Sequence, residues 1–201
     1  MSLVEMNGAS KLWDGVVGLH PFDLRVERGE LVVVRGRSGS GKSTLLALVA
    51  GLCEPDVGEV SVGGTRPRID MPWSKLAIVP QVLALAAELS VRENITDSAP
   101  KETSARIDQL LALLDISELA WRTINEISMG QQQRVAVARA IAVTPDLLLA
   151  DEPTSFQDNA HTTVVVEALR HAAAGGAGVL VATHDPAMIA AADRVLEVVA
   201  K

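Results

Sequence analysis

Apolar positions along the chain follow two rhythms. Short aliphatic and β-branched runs, bounded by Gly, Pro or charge, alternate with longer segments whose apolar residues recur every three to four positions. LVVVRG (31–36) predicts a buried strand ending in glycine. A Gly/Ser loop follows it, and then KSTLLALVAGL, which predicts a helix. GEVSVGG (58–64) alternates and reads as a half-exposed strand and turn; KLAIVPQ (75–81) is a strand stopped by Pro80. PDLLLADEP (145–153) and AGVLVATHD (177–185) are buried strands that run out into charged residues, and RVLEVV (194–199) is a last strand. TTVVVEALRHAA (162–173) predicts a helix despite its valines.

Over 82–130 the rhythm changes. RIDQLLALLD (106–115) has helical spacing between polar turns, so this stretch is expected to be a helical subdomain inserted in a single domain spanning 1–201. VLALAAELSV (82–91) is unusually apolar and reads either as the lining of a groove or as subdomain core. NEISMGQQQR (125–134) leads into VAVARAIAV, which places a helix start there with Ser128 as its N-cap. Three consecutive glutamines at a helix start are odd for plain packing. Strands alternating with helices argue for a mostly parallel α/β sheet. In such sheets ligands sit beyond the carboxyl ends of the strands.

Composition narrows the function classes. Two Phe, three Trp and no Tyr leave the core to aliphatic residues, so each aromatic merits separate attention. A single cysteine, Cys53, excludes an internal disulfide and fits a reducing compartment. The net charge of −7 argues against a nucleic-acid partner, which calls for a basic face. MSLVEMNG lacks a basic n-region and a long apolar core, so no signal peptide is expected. The most apolar run, LLALVAGLC (45–53), is far shorter than the ~18 residues a bilayer span needs, so a membrane link would run through a partner.

Several strand ends carry chemistry. GRSGSGKST (36–44) fits G-x-x-x-x-G-K-[ST] through Gly36, Gly41, Lys42 and Ser43, and it lies between a predicted strand and a predicted helix. Its glycines let the backbone of Arg37, Ser38, Gly39 and Ser40 curl so that N–H groups face phosphate oxygens, and the following helix adds its positive end from Thr44 onward. Lys42 supplies a charge for the β and γ phosphates, and the Ser43 hydroxyl can ligate Mg²⁺. Asp151 ends a hydrophobic strand and suits a Mg²⁺ site; Glu152 beside it is free to polarise an attacking water. His184, at another strand end, is a candidate γ-phosphate contact, whereas His20, His161 and His171 read as structural or surface residues. Gln81 either ligates Mg²⁺ and positions water or is simply a turn residue after Pro80. Trp13 is either a platform for a base or a core aromatic.

Taken in order, these residues resemble the nucleotide-binding domain of ATP-binding cassette (ABC) transporters over essentially the whole length. The resemblance implies an α/β P-loop NTPase fold with a mostly parallel sheet, an antiparallel β element near the N-terminus and the inserted helical subdomain. It makes Trp13 the A-loop aromatic, 36–44 the Walker A loop, Gln81 the Q-loop residue, 147–151 the Walker B strand and Asp158 the end of the D-loop. It makes His184 the switch histidine. It also implies that Ser128, Met129, Gly130 and Gln131 form a signature loop that caps the γ-phosphate held by a second molecule. ATP and Mg²⁺ are then the cofactors. The partners are a second nucleotide-binding domain, identical or not, and transmembrane permease subunits. The chain would sit in the cytoplasm on the inner face of the membrane. QQQRVAVARA, LLLADEPTS and VATHDP most resemble small export-type cassettes of the lipoprotein-release and macrolide-export group. The short stretch after the last strand has no room for the C-terminal regulatory domain of some importers. A competing reading is a low-turnover regulatory cassette paired with an active one. A small-molecule kinase is disfavoured because no Arg-rich lid is present, and a DNA-repair cassette because long coiled-coil arms would not fit.

Two departures from the family pattern stand out. Where LSGGQ is usual, the chain has Ile127, Ser128, Met129, Gly130 and Gln131. Met in place of the first glycine adds bulk and narrows the backbone choice, which predicts weakened pairing and slow hydrolysis unless the side chain turns to solvent. Where SALD is frequent, the chain has Ser155, Phe156, Gln157 and Asp158.

Overall fold

A computed structural model describes residues 2–99 and 104–199. Residues 100–103 of the expected helical subdomain, and the extreme ends of the 1–201 domain, lie outside the described residues. The elements run β1 (Val4–Trp13), β2 (Val16–Val26), β3 (Leu31–Arg35), α1 (Lys42–Val49), β4 (Val57–Val62) and β5 (Leu76–Val79). Then come α2 (Val91–Ser98), α3 (Ser104–Leu113), two single 3₁₀ turns (Ser117–Leu119, Ile124–Glu126) and α4 (Met129–Ala142). The chain closes with β6 (Leu147–Asp151), α5 (Asn159–Ala174), β7 (Gly178–Ala182), α6 (Pro186–Ala191) and β8 (Arg194–Glu197).

The central sheet has the order β5-β6-β7-β3-β8 and its strand pairings are parallel. Because side chains alternate across a strand, each central strand feeds two cores. Leu31 and Val33, Leu148 and Ala150, and Val179 and Val181 face α2, α3, α4 and α5. Val32 and Val34, Leu147 and Leu149, and Leu180 and Ala182 face α1 and the antiparallel sheet. Each such Leu or Val contributes about 1.5–3 kcal/mol by leaving water. Burial on both faces is why these strands read as unbroken apolar runs.

The antiparallel sheet, β2-β1-β4, is the element foreseen only in outline. Its register shifts between Met6 and Ala9, between Ala9 and Lys11, and between Lys11 and Leu12, and these bulges break the alternation that would announce a strand. Asp14 and Gly15, at φ 50° and 82°, form the two-residue turn between the paired Trp13 and Val16. Positive φ at both central positions matches the right-handed strand twist, which is what an Asp-Gly pair supplies.

Over 82–130 the described residues hold helices and turns, but helix begins only at Val91. It starts with a capping box: Ser90 Oγ accepts from Glu93 N, and Ser90 N donates to Glu93 Oε2 at 2.8 Å. The apolar run before it is irregular and divides its residues. Leu83 and Leu85 pack on the core, Val82 is exposed, and Ala84, Ala86 and Leu89 line a shallow groove with Trp73 and Arg139. The core reading therefore holds for Leu83 and Leu85, while other residues of the run stay at the surface. Among the described residues no helix is long and apolar enough to cross a membrane.

Asp146, just before β6, joins distant segments: Arg28 Nη1 and Lys75 Nζ donate to its two oxygens at 2.7 and 2.8 Å. The Arg28 hydrogen bond, then that from Lys75, lowers its pKa from 3.8 to about 2. A depressed carboxylate stabilises the fold above its unfolded pKa, and that stability is lost as pH falls through the folded one. Arg28 and Lys75 are largely exposed, so solvent screening leaves about 1 kcal/mol. Asp146→Asn should lose that amount in urea unfolding at neutral pH. The gap to wild type should close as pH drops from 3.8 through about 2.

Candidate active site

Strand register brings the candidate residues together. Val34 of β3 pairs with Ala182 of β7, and Ala182 pairs with Asp151 of β6. The three carboxyl ends therefore finish level. Hydrogen bonding continues one step past the strands: Thr183 N donates to Val34 O at 3.1 Å and Glu152 N to Ala182 O at 2.8 Å. Beyond this line lies a cleft of about 700 Å³ lined by Gly18, Gly36, Arg37, Ser38, Gly39, Gly41, Lys42, Ser43, Thr44, Gln81, Asp151, Glu152, Ser155 and His184. A hollow of about 760 Å³ between α1 and β4 is larger, but no predicted site residue lines it. Chemistry, not size, picks the smaller cleft.

The loop 36–41 wraps into the start of α1. Gly41 takes φ 105°, and a Cβ there would collide with the Gly18 carbonyl, so a side chain is excluded twice. Lys42 Nζ donates to Gly36 O at 2.8 Å and Arg37 O at 3.3 Å, holding its charge at the mouth of the loop. Ser40 is buried beneath the loop. Trp13 does not line the cleft. Its indole lies against Gly18, its Nε1 donates to Thr44 Oγ1 at 3.4 Å, and its ring stays half exposed on the rim under Lys11.

The two adjacent carboxylates live in different surroundings. Burial, with Glu152 next to it, raises the Asp151 pKa, against the Ser43 hydroxyl bond and the Lys42 charge. The Asp151, Ser43 and Gln81 oxygens all line the cleft, and a carboxylate, a hydroxyl and an amide carbonyl form an oxygen set that suits a hard divalent cation. Glu152 has φ 49°, a left-handed conformation that costs a non-glycine residue about 1–3 kcal/mol and tends to occur where function demands it. Thr183 Oγ1 donates to its Oε2 at 2.8 Å, and His184 Nδ1 lies 2.9 Å from its Oε1. The Glu152 side chain is 14% exposed and that of His184 82%. Thr183 escaped the sequence reading, although a hydroxyl one residue before a strand-end histidine was the available signal, and Ser155 stood out only as part of the D-loop pattern, not as a cleft residue.

Ser128, Met129, Gly130, Gln131 and Asp158 lie outside this cleft. Ser128 caps α4: its Oγ accepts from Gln131 N at 3.3 Å, and its N donates to Gln131 Oε1 at 2.9 Å. The three glutamines meet different surroundings. Gln131 closes the capping box, Gln132 Nε2 donates to the Ile124 and Ile127 carbonyls, and Gln133 is buried. Met129 is the first helical residue, is not among the positive-φ residues and is half exposed. The concern about its backbone therefore falls away; only its bulk remains. Asp158 caps α5 and is held by His161, whose N and Nδ1 lie 2.9 and 2.8 Å from Asp158 Oδ1.

A parallel sheet with a phosphate-binding loop after one strand and paired carboxylates after another defines an α/β P-loop nucleoside-triphosphatase fold. The family model described as ABC transporter matches residues 19–155, and the chain belongs to that family. It is 36% identical over 198 residues to phosphate import ATP-binding protein PstB 2 of Natronomonas pharaonis, covering 89% of this chain and 70% of that protein. It is also 36% identical over 214 residues to macrolide export ATP-binding/permease protein MacB of Nitrosomonas europaea, covering 98% of this chain and 32% of that one. The chain spans less than half the length of several curated relatives it matches. A dimeric post-hydrolysis structure of the ATP-binding cassette MJ0796 with ADP and Pi superposes with TM-score 0.85 at 28% identity, covering 97% of this chain and 94% of that one. Relatives named for import and for export match to the same degree, so identity does not sort the chain by direction.

Gly130 sits where the loop after Glu152 crosses α4: a Cβ there would lie 2.6 Å from Phe156 O. Overpacking against a backbone oxygen outweighs the ~1 kcal/mol that alanine offers a helix. Gly130→Ala should therefore destabilise the protein by about 1 kcal/mol net in thermal or urea unfolding.

Proposed function

We propose that the chain is an ATP-hydrolysing subunit that energises a membrane transporter, working as a head-to-tail pair with composite ATP sites. One observation carries this reading: the phosphate loop, Asp151 and Glu152, Gln81 and His184 converge on a single cleft at the carboxyl ends of β3, β5, β6 and β7. The dimeric state of the MJ0796 cassette supports pairing. The names of the relatives support transport and permease partners. Peripheral attachment at the membrane through such a permease fits a chain with no spanning helix among its described residues.

In this reading the loop amides, Lys42 and the positive end of α1 bind the β and γ phosphates. Ser43, Asp151 and Gln81 would hold Mg²⁺, which when bound neutralises phosphate charge and draws off electron density. Water attacks the γ-phosphorus: a new P–O bond forms, the bond to the ADP oxygen breaks, and Glu152 accepts the water's proton. Thr183 and His184 keep the Glu152 carboxylate turned to the cleft, consistent with their 2.8 and 2.9 Å contacts. His184, highly exposed, is free to meet the γ-phosphate. Trp13 on the rim offers a face to the base. Ser128, Met129, Gly130 and Gln131 form the helix end that would close the partner's site.

Glu152→Gln should lower ATP turnover by about 10²-fold or more and let an ATP–Mg²⁺ dimer accumulate, read by light scattering. Unchanged hydrolysis would remove Glu152 from the mechanism and return the low-turnover regulatory cassette. Met129→Gly, by removing bulk from the capping surface, should raise ATPase rate and lower the ATP needed for pairing. An unchanged rate and pairing would mean the side chain turns to solvent and costs nothing.

A further inference from the structure

We infer that Gln157 is a positioning residue that locks the loop after Glu152 to the first turns of α4, so that the chain's own ATP cleft and the helix end serving a partner's cleft move as one body. The inference rests on the head-to-tail reading above.

Both ends of the Gln157 amide are engaged. Nε2 donates to Gly130 O at 2.8 Å, and Oε1 accepts from Arg134 Nη1 at 2.9 Å. A carbonyl partner on one side and a guanidinium on the other allow only one amide orientation. Arg134 is 4% exposed, and its Nε has no partner, so losing the Gln157 acceptor leaves a buried cation still less satisfied.

The loop itself is short and stiff. Glu152 and Phe156 are both left-handed, at φ 49° and 64°, and bracket it. Ser155 N donates to Glu152 O at 3.1 Å and Gln157 N to Thr154 O at 3.3 Å. Ser155 lines the ATP cleft, and two residues later Gln157 grips α4. Gly130 leaves room for the Phe156 carbonyl in the same crossing. Displacing Glu152 or Ser155 on nucleotide binding therefore pulls on Gly130, the residue after Met129 in the capping surface. A leucine at 157, as in the more frequent D-loop pattern, has neither donor nor acceptor and would leave the two parts joined by van der Waals contact alone.

The test uses the Glu152→Gln chain and two further substitutions in it, Gln157→Leu and Gln157→Glu. The glutamate keeps an acceptor for Arg134 but meets the Gly130 carbonyl with a second acceptor, and it carries the test where the leucine variant does not fold. ATP-dependent dimerisation is followed by light scattering, and ATP affinity of the monomer by a fluorescent ATP analogue at protein concentrations below pairing. Each folded variant should need about tenfold more ATP to pair, with monomer affinity unchanged: the leucine because it loses a hydrogen bond to a charged group, the glutamate because it sets a charged acceptor against the Gly130 carbonyl. Pairing of either folded variant at the parent's ATP concentration overturns the inference. So does a monomer affinity that falls in step with pairing, or failure of both variants to fold, because each assigns Gln157 to the fold alone. If the Glu152→Gln parent binds ATP without pairing, the head-to-tail reading itself has failed, and the inference with it.

Discussion

The site depends on the in-register parallel pairing of β3, β7 and β6. Val34, Ala182 and Asp151 stand level across three strands, and two further backbone bonds carry that level past the sheet, from Thr183 to Val34 and from Glu152 to Ala182. Parallel strands receive their hydrogen bonds evenly along their length, so their ends can be aligned without a turn between them. A slip of one residue in β6 would exchange its two buried faces and carry Asp151 away from Ser43. The core is what forbids it: Leu147 and Leu149 fill one cluster while Leu148 and Ala150 fill the other. Precision at the cleft is thus a by-product of apolar burial on both faces of the sheet.

The same burial explains what could be read without coordinates. Buried strands are continuous apolar runs, and the polar residues at their ends stand out, so the loop after Arg35, the acids after Ala150 and the histidine after Thr183 were all legible. So was the start of α4, because a capping box is a local pattern. Less legible were features whose signal is spread between segments. The β1–β2 hairpin hides behind its bulges, although its Asp-Gly turn was present in the letters. The capping box at Ser90 and Glu93 was masked by the apolar run that precedes it. The short helix α6 was likewise not foreseen, although Asp185 caps it and Pro186 opens its first turn. Nothing local indicates that Thr183 holds Glu152 or that Gln157 reaches Gly130, since those pairs are 31 and 27 residues apart.

The α4 helix shows how one terminus can serve two demands. Its first turn must be satisfied within the chain, and Ser128 and Gln131 do this reciprocally. Yet a capping box leaves other amides of the first turn free, and these give a helix end its pull on anions. The adjoining glutamines keep the approach rigid, because Gln132 ties the helix back to the carbonyls of the preceding 3₁₀ turn. A run of three identical residues therefore meets three different surroundings, a capping box at Gln131, the preceding carbonyls at Gln132 and the interior at Gln133, set by a helical rotation of about 100° from each position to the next.

Asp151 and Glu152 are neighbours in sequence that occupy different environments. Asp151 is the last paired residue of β6, held in the pleat, so its carboxylate is kept near Ser43 and Lys42 at the base of the cleft. Glu152 leaves the strand through a left-handed turn, which swings its side chain off the β6 direction and onto Thr183 and His184. Burial and mutual repulsion make it costly for Asp151 to stay ionised. A divalent cation at Asp151 would relieve that cost, while the Glu152 oxygens are engaged by Thr183 and His184 instead. The strained backbone at position 152 is what keeps both carboxylates at the cleft: with ordinary extended geometry, the Glu152 side chain would alternate to the opposite face of the sheet, the face of Leu148 and Ala150.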